Sequence, residues 1–543
     1  MEAIRLDSKP VSATYALPSP KITLFMKTSR RHFLQSSAFG AVGMSFLPRT
    51  VLFSQKSTGK LPRQSPESQG VDSAGIRAFL KATKASGLEW HSFMLVRHGN
   101  VVAEGWWNPF KPNFKHTLYS LSKSFTSTAI GFLVQEGKLS VNDPVLRFFP
   151  EEAPQNPSDN LKAMTIKHLL TMNTGQSTDT IPVMRANMDK NWVKLFLEQP
   201  VEHVPSTFFV YNTGATYMLG AIVTKVTGQL LEDYLKPRLF DPLGISDYDW
   251  EKSPQGLNTA GYGLRVTTED IAKFGQFYLQ KGQWQGKQLL AAEWVAEATS
   301  KQTTSREGDN DWSQGYGYQF WRCKPGFYRG DGAYGQFCMV MPEYGAVLAM
   351  TCESFDLQKS MNVAYETLLP ALKKAVLPEN PSEWQALKSE IAQLALPVAK
   401  GSKTSVLHAK YSDKVFKIEP NPFNITRLGL GLFDDAGVIR VAQNNETGFH
   451  KIGFGWEEWK SSKVPVKNYF VTNPNPMPSK IAATGTWLNE NTLQVHCKFI
   501  DAIHGDKLTF VFEGDKVTVS MLNSISENSK NNPDKREKLI GTM

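Results

Sequence analysis

The stretch that most constrains this chain is His116–Gly137, HTLYSLSKSFTSTAIGFLVQEG. Polar, turn-forming residues open it; Phe125, Ala129, Ile130, Phe132, Leu133 and Val134 follow; Gly137 closes it. That pattern predicts a buried helix with a serine at its first turn and a glycine stop. Ser120 and Lys123 then share one face of the helix. A serine hydroxyl is a poor nucleophile until a neighbouring base takes its proton. A lysine is such a base when desolvation and nearby positive charge keep it neutral. The helix N-terminus also aims free N–H groups at the serine, which suits an oxyanion. The S-x-x-K spacing recurs at Ser57 and Lys60, inside a polar run where no helix is readable. Taken alone, the pair at Ser120 therefore fits a helix cap and a solvated lysine as well as a nucleophile and its base.

The 543 residues allow two or three domains with ample core. A net charge of +9 is mild for that length and is spread without a long Lys/Arg run, which gives a nucleic-acid partner little support. Cys323, Cys338, Cys352 and Cys497 show no C-x-x-C spacing, and neither H-E-x-x-H nor a histidine cluster occurs, so no metal is expected.

Near the N-terminus, Ser29-Arg30-Arg31-His32-Phe33-Leu34 is a paired-arginine motif ahead of a modest apolar run, Ala38–Leu47. The run is too short and too rich in glycine and serine to span a bilayer. The segment is similar to a twin-arginine export signal, a receptor-read address rather than an anchor. The expectation is a periplasmic or secreted protein with no stable membrane span after processing.

Residues 55–70 read as a polar linker. Asp72 caps an amphipathic helix with Ile76, Phe79 and Leu80 on one face, and SFMLVRHGNVVAEGWW reads as two strands around His98-Gly99-Asn100. After the Ser120 helix, Phe208–Gly228 is extended up to Tyr211 and then helical, leaving Tyr211 on a loop at a helix entrance. Thr267 and Thr268 cap a further helix with Asp270 in its first turn. Glycine-broken strands over Gly326–Met341 and Ala346–Cys352 belong with the first pair in one antiparallel sheet, and a helix from Lys359 to Val376 ends the domain. A Pro-flanked helix, Glu383–Ala395, reads as a connector. From Val406 the sequence alternates apolar and polar residues between short turns, predicting an all-β barrel or sandwich with Trp456, Trp459 and Trp487 in its core. The tail from Ser524 is polar and expected to be disordered.

Ser120-Leu121-Ser122-Lys123, Tyr211-Asn212-Thr213 and Gly332-Ala333-Tyr334-Gly335-Gln336 occur in that order. Together they resemble the motifs of the serine β-lactamase-like and penicillin-binding-protein family. That family includes class C β-lactamases, D-alanyl-D-alanine carboxypeptidases, family VIII esterases and nylon-oligomer hydrolases. The likeness covers roughly residues 60–375 and extends to MTIKHLLTMNTG, LFDPLGI and GLRVTTEDIAKFG. It implies an α/β (α+β) fold, an antiparallel sheet flanked by helices with a helical subdomain. It also implies roles: Ser120 acylated, Lys123 accepting its proton, and Tyr211 passing a proton to the leaving group and activating the deacylating water. The backbone N–H groups of Ser120 and Gln336 would form the oxyanion hole, with Thr213, Tyr334 and Gly335 lining the substrate site. Two positions depart from the family pattern. Thr213 stands where Asn or Ser is usual, though its hydroxyl still offers a hydrogen bond. Ala333 stands where β-lactamases and carboxypeptidases keep a lysine for the substrate carboxylate, a contact of about 1.5–3 kcal/mol. Arg322 and Arg329 are near enough in sequence to replace it.

The expected organisation is an export signal and linker (1–54), a catalytic domain (55–376), a connector (377–404), a β-rich domain (405–523) and a tail (524–543). The expected activity is that of an exported serine hydrolase acting on a small ester or amide through Ser120, Lys123 and Tyr211, without metal or organic cofactor. A β-lactamase or D-Ala-D-Ala carboxypeptidase is the alternative, and a non-catalytic binding or sensor protein on the same fold is a second. Because the three motifs precede the connector, residues 55–400 alone are expected to keep ester turnover within about tenfold of the full chain.

Overall fold

The computed structural model describes residues 59–444, 446–463, 480–529 and 531–543. The paired arginines and the apolar run after them lie outside those residues. The principal helices are α1 (Ser73–Ala85), α2 (Ser122–Gln135), α3 (Thr213–Thr227), α4 (Thr268–Leu279), α5 (Leu357–Ala371) and α6 (Pro381–Ala392). One sheet is built from β1 (Glu89–Arg97), β2 (Asn100–Trp106), β3 (Trp321–Arg322), β4 (Tyr328–Gly332), β5 (Gln336–Met341) and β6 (Ala346–Glu353). Its order is β2-β1-β6-β5-β4-β3, all antiparallel, so the N-terminal hairpin joins the late strands as expected.

Side chains alternate between two cores across this sheet. Met94, Val96, Cys338, Val347 and Ala349 face the helical side, where α4 packs. Phe93, Leu95, Phe337, Met339, Leu348 and Met350 face α1 and α5. Both faces are covered, which is why the strands read as continuous apolar runs instead of alternating. Close approach is built in at small residues: a side chain at Gly275 on α4 would meet Val347 Cγ1 at 2.5 Å. The predicted caps form. Asp72 accepts from Ala74 N, and Thr267 with Asp270 makes a reciprocal capping box. In the helical layer, α2 and α3 pack together and are buried nearly all round, as a helix apolar on every face must be.

The described part of the expected linker is not loose chain. Leu61 is buried, Gln64 N donates to Val101 O, and Arg63 pairs with Glu104 and Glu269. The connector is likewise docked, with Arg77 of α1 paired to Glu383 and Glu390 of α6.

The C-terminal part is a closed barrel. Its strands are β7 (Val415–Ile418), β8 (Ile425–Leu432), β9 (Ala436–Gln443), β10 (His450–Trp456), β11 (Lys460–Lys463), β12 (Lys480–Asn489), β13 (Thr492–Phe499), β14 (Gly505–Glu513), β15 (Lys516–Asn523) and β16 (Leu539–Thr542). They run in the order β10-β9-β8-β7-β16-β15-β14-β13-β12-β11, and a parallel pairing of β10 with β12 closes the ring. That pairing, Gly455–Trp456 with Thr484–Gly485, joins the two arms of the strand order and leaves β11 paired on β12 alone among the described residues. Trp456 and Trp487 lie in the barrel core, while Trp459 turns outward and donates to Leu396 O of the connector.

The tail departs from its expected disorder. β16 is inserted between β7 and β15, with Leu539 buried in the core. Arg536 is buried between Asp506 and Asp534, 2.6 Å from each. Four strand residues after a polar run were too few to read as periodic, yet they complete the ring.

Candidate active site

Ser120 lies in a tight turn, Tyr119–Leu121, that leads directly into α2, and Lys123 sits one turn further on. Lys123 is 1% exposed. Its Nζ is 3.1 Å from Ser120 Oγ, 3.3 Å from Thr213 Oγ1 and 2.8 Å from the Gly261 carbonyl oxygen. Burial pulls the ammonium down to about 7, against the opposing pull of Asp179 and Asp331. Desolvation is therefore what lowers this lysine, without the neighbouring positive charge that the sequence argument had allowed. Gly261 is required for the fit, because a side chain there would meet Thr213 Cγ2 at 2.7 Å and Lys123 Nζ at 3.4 Å.

Tyr211 is on the predicted loop, immediately before Asn212. The Asn212 side chain caps α3 and is itself held by Thr180 and Gln176. The Tyr211 ring stacks on Trp321, with centroids 5.5 Å apart, and Lys123 Nζ is 4.9 Å from its centroid. Burial raises the phenol far above its ordinary range and Asp331 adds to this, while Ser120 and Arg306 oppose it. Thr213 begins α3, and its N–H is held by Asp179 at 2.8 Å. Ser120, Lys123, Tyr211 and Thr213 thus converge from two helix entrances.

The third motif makes the turn from β4 to β5. Gly332 lies so close to the Leu118 carbonyl that any side chain would overlap it, bringing this turn against the Ser120 segment. Tyr334 and Gly335 both take positive φ, 63° and 92°. The Gln336 side chain is fully buried and donates to Cys352 O and Ala333 O, so only its backbone is left to face the cleft. Neither arginine replaces the lysine missing at Ala333. Arg329 is buried against Asp331 at 2.8 Å, and Arg322 donates to the carbonyls of Thr299 and Gly326. An exposed cation, Arg306, lies over Trp321 at 5.9 Å.

Sequence reasoning missed several neighbours. Trp321 and Asp179 carry no motif, and Gly261 acts through its backbone. His504, on the barrel loop before β14, places Nε2 2.8 Å from Tyr119 Oη. Glu89, His91 and Glu353 have the spacing of metal ligands, but Lys498 Nζ stands 2.6 Å from Glu89 and 2.7 Å from Glu353. One ammonium is thus already paired with both carboxylates. Burial keeps His91 neutral, well below its usual range, and its Nδ1 is 2.8 Å from His116 Nε2.

An antiparallel sheet flanked by helices, one of them carrying a buried lysine beside a serine at its entrance, defines the class, a serine hydrolase fold of the S-x-x-K type. The family model described as Beta-lactamase matches residues 76–373, more than half of the chain, and the chain belongs to that family. Its relatives differ in what they act on. A 6-aminohexanoate-dimer hydrolase from Paenarthrobacter ureafaciens is 24% identical over 278 residues, 47% of this chain and 71% of its own. A Beta-lactamase from Escherichia coli (strain K12) is 25% identical over 246 residues, 40% of this chain and 61% of its own. Esterase EstB from Burkholderia gladioli is 26% identical over 211 residues, 34% of this chain and 53% of its own.

Proposed function

We propose that the chain hydrolyses an ester or neutral amide through an acyl-enzyme on Ser120. The observation that carries this is the pairing of Ser120 Oγ with a buried lysine 3.1 Å away, whose proton affinity is tuned to about 7. A base with a pKa near the working pH is both largely unprotonated and still able to take a proton. Ser120 Oγ attacks the substrate carbonyl carbon, and its proton passes to Lys123 Nζ. The backbone N–H groups of Ser120 and Gln336 hold the developing oxyanion. The bond to the leaving alkoxide or amine then breaks, and Tyr211 hands it a proton relayed from Lys123. Tyr211 stays protonated at neutral pH, which suits it to relay protons and not to act alone as the first base. Water follows the reverse path: it gives a proton to the Tyr211–Lys123 pair and attacks the acyl carbon, the bond to Ser120 Oγ breaks, and that proton passes to Oγ to restore the hydroxyl.

Ala333, with Arg322 and Arg329 committed elsewhere, favours substrates lacking the free carboxylate that a β-lactamase or carboxypeptidase grips. A purely binding protein has no use for a lysine held neutral against a hydroxyl, which supports turnover over sensing. Ser120→Ala should abolish hydrolysis of a short-chain p-nitrophenyl ester while the protein stays folded, and wild-type turnover in that variant would overturn the proposal. Export through the paired arginines is part of the same reading. Among the described residues no helix is long and apolar enough to cross a membrane. Arg30→Lys with Arg31→Lys should retain the protein in the cytoplasm, and normal export of that variant would refute the assignment.

A further inference from the structure

We infer that His504, delivered by the barrel, is a positioning residue for the oxyanion hole, holding the backbone on both sides of it; this rests on the reading of Ser120 as the nucleophile.

The hole is built from two N–H groups on separate segments, and each is adjoined by a tyrosine in the left-handed region. Tyr119, just before Ser120, has φ 47°, and Tyr334, just before Gly335-Gln336, has φ 63°. Such a φ is strained on a bulky residue and persists only where the surroundings enforce it. One side chain touches both. His504 Nε2 is 2.8 Å from the Tyr119 hydroxyl, and the His504 ring meets Tyr334 edge-on with centroids 4.7 Å apart. The two tyrosines also meet each other edge-on at 5.4 Å.

His504 is itself fixed from behind. Its Nδ1 lies 2.7 Å from Glu353 Oε1 at the end of β6, and Glu353 is shared with Lys498 and Ser524 of the barrel. The Tyr334 carbonyl accepts from Ser354 N, the next residue along that strand. The barrel loop is pinned at a second point. Arg265 donates to the Asp501 carbonyl at 3.3 Å, and it belongs to the short strand Leu264–Val266 whose Leu264 carbonyl accepts from Leu118 N at 2.9 Å. The barrel loop therefore grips the Ser120 turn through Arg265 from one side and through Tyr119 from the other. His504 touches no reacting atom; it acts through the two tyrosines. Release of either tyrosine to ordinary φ turns the following N–H groups away from the oxyanion, which lowers kcat and leaves ground-state binding nearly unchanged.

The test compares the full-length wild type with Ser120→Ala, His504→Ala, His504→Gln and Tyr119→Phe on one p-nitrophenyl ester, well below each variant's melting temperature. The expected result for His504→Ala is a kcat at least tenfold lower with KM within threefold. His504→Gln should recover most of it, because its side-chain amide reaches the place of Nε2 and can still hydrogen-bond the Tyr119 hydroxyl. Tyr119→Phe, which removes one hydroxyl and keeps the ring, should lose kcat in the same direction, and adding it to His504→Ala should cost less than the product of the two. Unchanged kcat in His504→Ala alongside a dead Ser120→Ala overturns this inference alone, whatever happens to the melting temperature. If His504→Ala does not fold, wild-type kcat in Tyr119→Phe overturns it. Turnover retained in Ser120→Ala overturns the reading of the site and this inference with it.

Discussion

Lys123 is buried at a cost in stability. Its proton affinity is lowered by burial to about 7 from an ordinary 10.5. A group whose folded pKa is depressed gives its full stability above the unfolded value and loses it as pH falls towards the folded one. Near pH 7.5 that loss amounts to about 4 kcal/mol. Lys123→Met removes this cost but leaves the Gly261 carbonyl without its donor, a penalty of about 1–3 kcal/mol. The expected net is a more stable protein by about 1–3 kcal/mol with ester turnover reduced by at least a hundredfold, read by denaturant unfolding and initial rates. A variant that keeps its rate would return Lys123 to a structural role. This pair was readable in the sequence because residues three apart on a helix must share a face. What the sequence could not supply was burial, which decides whether such a lysine is a base or a surface cation. Thr213 is a milder case: its hydroxyl stands 3.3 Å from Lys123 Nζ, within reach of the one hydrogen bond its chemistry allows.

At the scale of elements, the glycine turn between β4 and β5 sets how near the sheet edge comes to the Ser120 turn. Gly332→Ala would push a methyl into the Leu118 carbonyl, so one of the two backbone segments must shift. Overpacking of this kind costs about 1–3 kcal/mol. The expected outcome is a modest fall in stability with a larger loss of kcat, since the displaced segment carries Ser120; a fall in stability alone would mean that the two segments move together. Elements with strong local signals were legible, including the caps at Asp72 and Thr267, the hairpin at His98-Gly99-Asn100 and the loop holding Tyr211. β16 was not, because Leu539–Thr542 is short, follows a polar run and finds its partners β7 and β15 only through the closed ring. His504 was not legible either. Its link to Tyr119 spans 385 positions, and nothing local distinguishes it from any other loop histidine.

Across the whole molecule, the barrel has its own core but is fastened to the catalytic part by a seam. Ala482 and Ile500 of the barrel belong to the apolar cluster under the main sheet, and Lys498 lies between Glu89 and Glu353. The seam alters what truncation should do. Ending the chain at Ala399 would strip Lys498 from two carboxylates, expose the underside of the sheet and remove His504. Turnover is therefore expected to fall more than tenfold and the melting temperature to drop, in place of the independence that the motif order alone suggested. A truncated protein that melts cooperatively and keeps wild-type kcat would show the seam to be incidental to the site. Activation of Ser120 by Lys123 is checked by intact mass after exposure to a serine-directed phosphonate across a pH series. One adduct per chain is expected, mapped to Ser120 and forming at a rate that rises with pH through a midpoint of about 7. An adduct that persists in Ser120→Ala, or a rate that does not change between pH 5 and 9, would contradict it.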